Sequence, residues 1–156
     1  MEPKPRNTAE YLKTKVLTAS PEQLQLLLYD GALRFGEQAR QAIEEKNVEK
    51  SYQMILRVEN IVMELHNSMR DDVAPDACAN LRRLYMFCYG RLVTANVKKD
   101  LAALSEALGI LRHIRETWIL LMEKLRQERT QQAPLTVAAP DDPVSQHLGA
   151  TISLQG

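Results

Sequence analysis

Three histidines and two cysteines are the side chains of this 156-residue chain best suited to metal, nucleophilic or proton-transfer chemistry. Their spacing supports little of it. Di-iron centres in helical bundles are built from Glu-x-x-His pairs, and the nearest approach is Glu64-Leu65-His66, which has the wrong spacing. No Cys-x-x-Cys pair, Walker-type phosphate loop or Gly-x-Ser-x-Gly elbow occurs. Cys78 and Cys88 stand ten positions apart in one predicted helix, roughly 15 Å at the helical rise, too far to bridge. Free thiols without a disulfide framework suit a reducing compartment. His66 is expected at the margin of a helix seam, and His113 in solvent between Arg112 and Arg115. His147 lies in a segment with no helical period. A phosphorelay histidine on a helical bundle is the one catalytic alternative. The residues otherwise point to a non-catalytic protein with no metal and no cofactor.

Charge and composition narrow the partners. Twenty Lys and Arg balance twenty Asp and Glu, so no net field would hold nucleic acid or an anionic membrane. The first residues, MEPKPRNTAEYLKTKV, contain no apolar signal-like run, and no stretch of about 18 apolar residues exists for membrane insertion. A soluble, cytoplasmic protein is expected. Aromatics make up only 5% of the chain, and the apolar inventory of Leu and Ala alongside Glu, Arg and Gln favours helices over strands.

The elements that would position any site follow from caps and periodicity. Met1 to Thr18 carries two prolines and few large apolar groups and reads as a mobile arm over 1–19. Ser20 can cap a helix with Pro21 at its first position and Gln23 completing a capping box. That helix should run to about Lys46, a second from Val48 to about Met69 behind an Asn47 cap. A third should run from Pro75 to about Lys98, and a fourth, capped by Asp100, to about Gln127. Short links between long helices imply an all-α, antiparallel up-down four-helix bundle over 20–128. The segment 129–156, with prolines at 134, 140 and 143, is expected to be disordered.

On helical wheels the seams are wider than a bundle needs. In the first helix Leu24, Leu28, Gly31, Phe35, Ala39 and Ala42 form the seam, with Leu26, Tyr29, Leu33 and Gly36 opposite. In the second, Ile55, Val58, Val62, Leu65 and Met69 are flanked by Tyr52, Leu56 and Met63. In the third, Ala77, Leu81, Leu84, Cys88, Leu92 and Ala95 form the seam, with Met86, Val93 and Val97 opposite and Gly90 among them. In the fourth the seam is Leu104, Leu108, Leu111, Trp118, Met122 and Leu125. Contiguous apolar sets outside the seam mark an interaction site, so these second faces are the candidate binding surface. Gly36 and Gly90 would permit close approach, within the bundle or by a partner backbone.

Several motifs carry a resemblance. Thr18-Ala19-Ser20-Pro21, Glu22-Gln23-Leu24, Leu28-Tyr29-Asp30-Gly31-Ala32 and Arg34-Phe35 open the series. Ala42-Ile43-Glu44, Asn80-Leu81, Leu84-Tyr85, Ala95-Asn96, Lys98-Lys99-Asp100 and Trp118 follow in order. Over roughly Tyr11 to Leu125 the chain resembles the flagellar secretion chaperone family, FliS. The resemblance implies a cytosolic export chaperone that binds the disordered C-terminal segment of flagellin. Such a protein prevents premature polymerisation and keeps its client competent for type III secretion. It also implies outer grooves for client, lined here by Leu26, Tyr29, Leu33, Gly36, Tyr52, Leu56, Met63, Met86, Val93 and Val97. An N-terminal arm anchored by Tyr11, Val16 and Leu17 would cap part of them. A flagellar export-gate component or co-chaperone is a further expected partner. The rival reading is a helical-bundle adaptor acting through self-association or another partner helix.

Overall fold

Ser20 separates two helices and caps the second. The computed structural model describes residues 5–72 and 74–132, and among these it contains five helices. They are α1 (Pro5–Thr18), α2 (Pro21–Glu44), α3 (Val48–Asn67), α4 (Pro75–Lys98) and α5 (Leu101–Gln132). At the start of α2 the Ser20 hydroxyl accepts from the Gln23 amide while the Gln23 side chain accepts from the Ser20 amide, the reciprocal box the sequence predicts. Asn47 caps α3 through the Lys50 amide, and Asp100 caps α5 through the amides of Ala102 and Ala103. Pro75 occupies the first turn of α4.

Helices α2 to α5 alternate in direction over residues up to Leu120. Ile55, Val58, Val62, Leu65, Cys88, Leu92, Leu104 and Leu111 are completely enclosed at the centre, as their seam positions require. The core also takes in Tyr29, Ala32, Tyr85, Ala103 and Ala107, which the predicted seams omit. Tyr29 and Tyr85 meet across the core with their hydroxyls 2.6 Å apart, and Gln25 Nε2 donates to Tyr29 at 3.1 Å. Leu24 and Ala77, expected in seams, are exposed.

The predicted mobile arm contains a helix, α1, with every described side chain from Thr8 to Thr18 exposed. Ala, Glu, Leu and Lys support helix locally. Two prolines, scattered charges and few large apolar groups make the same stretch read as an arm, and none of those groups joins the core. At the other end α5 runs past the expected stop to Gln132. The chain divides at Leu120–Leu121 into two units, and the described part of the second is the last turns of α5, almost all exposed. The expectation of disorder for the tail beyond 132 lies outside the described residues.

Candidate functional site

The second apolar face of α2 is the main correction. Tyr29 is fully enclosed and Gly36 is buried, so neither can touch a partner. A Cβ added to Gly31 would stand 3.6 Å from Ile61 Cδ1 of α3, in ordinary contact, whereas a Cβ on Gly36 would collide with the Leu108 side chain of α5. Helix α2 therefore lies between two neighbours, and its buried residues, from Gly31 round to Tyr29, span an arc of roughly 160° at 100° per residue. Polar clamps hold the α5 side: Arg115 Nε donates to Asp30 Oδ1 at 2.5 Å, and Trp118 Nε1 to the Glu22 carbonyl at 3.2 Å. Leu33 packs half-buried against the core. Leu26, also half-buried, lines a hollow of about 360 Å³ with Lys15, Thr18, Ala19, Leu27 and Asp30 at the α1–α2 corner.

The faces read on α3 and α4 point outward. Tyr52 and Leu56 on α3 are exposed, with Met63 half-buried one turn beyond. Met86, Val93 and Val97 on α4 are exposed, Val97 to 77%. Two contacts fix the antiparallel register that brings these sets side by side. Lys99 Nζ sits 5.9 Å from the Tyr52 ring centroid at one end. At the other, Arg82 pairs with Asp71 and reaches the Met69 carbonyl at 3.4 Å. The result is an apolar strip along the outer α3–α4 seam. Gly90, on the same side of α4, has open space where a Cβ would stand. Three exposed apolar side chains contribute roughly 1.5 to 3 kcal/mol each when a partner covers them.

One residue of that strip escaped the sequence reading. Glu59 follows Tyr52 and Leu56 at helical spacing and precedes Met63 on the same face of α3, yet it is only 7% exposed. Burial pushes its carboxyl above the ordinary carboxylate value. The signal available in the sequence was an acid interrupting an apolar i, i+4, i+7, i+11 series.

Tyr11, Val16 and Leu17, read as anchors of a groove cap, stand in solvent on α1, Leu17 at 74% exposure. The arm folds here as a helix with these side chains exposed. Among the catalytic candidates, His113 is exposed, as expected, and His66 is half-buried with Nδ1 3.0 Å from Asn67 Oδ1. Cys88 is enclosed, its thiol pushed up to about 12 by burial, and its Sγ lies 3.5 Å from the Ala107 carbonyl. A thiol held in that state is not a nucleophile. No cluster of three metal-ligating side chains exists among the described residues, and no described helix is long and apolar enough to cross a membrane.

Comparison with known proteins finds the following likenesses. A family model described as "FliS: Flagellar protein FliS" matches residues 4–125. The "Flagellar secretion chaperone FliS" of Bacillus subtilis (strain 168) is 33% identical over 119 residues, covering 76% of this chain and 88% of the relative. The protein of the same description from Salmonella typhimurium is 31% identical over 108 residues, covering 69% and 80%. A solved structure described as "Crystal structure of flagellar chaperone from bacteria" superposes with a TM-score of 0.63 at 15% identity. It covers 78% of this chain and 99% of that one, and it speaks to the fold.

Proposed function

Because the chain belongs to the FliS family of flagellar secretion chaperones, we propose that its α3–α4 strip is where the C-terminal segment of flagellin docks. The protein works in the cytoplasm, ahead of secretion, and acts by binding and not by catalysis. Covering the adhesive end of the client blocks self-polymerisation and leaves it unfolded enough for export. The observation that carries the reading is the strip itself: Tyr52, Leu56, Met86, Val93 and Val97 are exposed together on one side of two adjacent helices. A client helix laying its own apolar face there uses the helix-in-groove mode. Leu26 and Leu33, at the margin of α2, are a secondary place for an extended stretch of the same client. Helix α1, whose Tyr11, Val16 and Leu17 have no core to join, competes with client for apolar surface. An export-gate component or co-chaperone would find Phe87, exposed on the other flank of α4.

Titration with a flagellin C-terminal peptide tests this. Val93→Glu or Met86→Glu should weaken binding by about 2 kcal/mol, roughly thirtyfold, with the melting temperature nearly unchanged, while Phe87→Glu leaves peptide affinity intact. Binding that ignores both strip substitutions would overturn the assignment. A dimer on size exclusion that takes up no peptide would favour self-association instead.

A further inference from the structure

Glu59 is a carboxylate where the apolar strip calls for a hydrocarbon. It is more than nine-tenths covered, and among the described residues no donor or cation reaches it. The cations that could serve it are engaged elsewhere: Arg57 lies over the Phe35 ring at 5.1 Å on the α2 side, and Lys99 Nζ donates to Asn96 Oδ1 at 3.0 Å. No fully enclosed side-chain oxygen among the described residues lacks a hydrogen bond, so the unbonded Glu59 oxygens keep contact with solvent through the small opening that remains. Glu59 faces α4, because it shares a helical face with Tyr52, whose ring lies against Lys99.

A largely desolvated anion without a partner destabilises the free protein. The same anion recovers a charge-assisted hydrogen bond when a cation arrives with an apolar stem. We infer that Glu59 is a specificity residue of the α3–α4 strip: the flagellin segment docked there carries one lysine or arginine whose stem lies between Leu56 and Met63 and whose head pairs with the Glu59 carboxylate. The inference rests on the docking role given above and adds the chemistry the strip selects for. A wholly apolar segment would bury the anion unpaired, and an acidic one would be repelled, so the carboxylate discriminates against both.

Calorimetric titration of the full chain and of Glu59→Gln provides the test. The probes are a flagellin C-terminal peptide and copies in which each Lys or Arg is changed singly to Met. We expect Glu59→Gln to keep or raise the melting temperature of the free protein and to bind the unaltered peptide at least tenfold more weakly. One Lys→Met or Arg→Met peptide should lose the same factor against the wild-type chain and nothing further against Glu59→Gln. Equal affinity of the two chains for the unaltered peptide, or additive losses at every basic position, would overturn the specificity role and leave the docking assignment standing. A sharp drop in melting temperature for Glu59→Gln would make the residue structural and also overturn it. No binding by the wild-type chain would remove both readings together.

Discussion

At the scale of single residues, two glycines predicted to play equivalent parts have opposite environments. Gly36 is enclosed where α2 meets α5, and an added methyl would strike Leu108. Gly90 lies on the outer side of α4 with nothing near its Cα substituent position. Gly36→Ala should therefore destabilise the protein by about 1–3 kcal/mol through overpacking, and Gly90→Ala should stabilise it by about 0.5–1 kcal/mol by removing backbone freedom in a helix interior. Chemical denaturation of the two variants measures both. Equal shifts of the same sign would show that Gly36 is not a packing notch. The tyrosines carry a related lesson: Tyr29 looks like a surface anchor on a wheel because it lies opposite the Leu24–Ala42 seam, but it is enclosed, and Tyr85 and Gln25 satisfy its hydroxyl inside the core.

At the scale of elements, the α2–α3 and α4–α5 corners are built alike. After α2, Lys46 takes a left-handed conformation at φ 58°. Its amide reaches the Ile43 carbonyl at 3.0 Å, and the Asn47 amide the Ala42 carbonyl at 2.8 Å. This is the Schellman closure, usually made with glycine. After α4, Lys99 is left-handed at φ 51° and the Asp100 amide bonds to Ala95. Asn47 and Asp100 thus end one helix and cap the next, which explains why the links are so short. Because an L side chain is disfavoured there, Lys46→Gly should raise stability by roughly 0.5–1 kcal/mol. Lys99→Gly should gain less, since it forfeits the contacts with Tyr52 and Asn96. Thermal melts would decide, and a lower melting temperature for Lys46→Gly would count against the strain argument. The caps were legible in the sequence. The left-handed lysines were not, because nothing about lysine signals them.

At the scale of the whole molecule, helix α1 adds no buried side chain from Thr8 to Thr18 to the domain it precedes. Deleting residues 1–17 should leave the melting temperature within a few degrees of the full chain. It should leave affinity for a flagellin C-terminal peptide unchanged or higher, since a competitor for apolar surface is removed. Calorimetry on the truncated chain checks this. A large loss of affinity with the fold retained by circular dichroism would make α1 part of the binding surface.

What the sequence determined alone was whatever depends on near neighbours along the chain. The capping box at Ser20–Gln23, the Asn47 and Asp100 caps, the seam of α3 and the outward faces at Tyr52, Leu56, Met86, Val93 and Val97 are all set by residues within a few turns of one another. The family signature, likewise linear, carried the function. Tertiary structure alone decided which face of α2 was a surface. That helix has apolar groups nearly all round, and periodicity cannot say how many neighbours will cover them. Placing α2 between α3 and α5 buried Tyr29 and Gly36 and left Leu26 and Leu33 at the margin. The same packing made Glu59 notable, since a glutamate in a helix is unremarkable until the surrounding helices remove it from water while the nearby cations, Lys99 and Arg82, are engaged elsewhere.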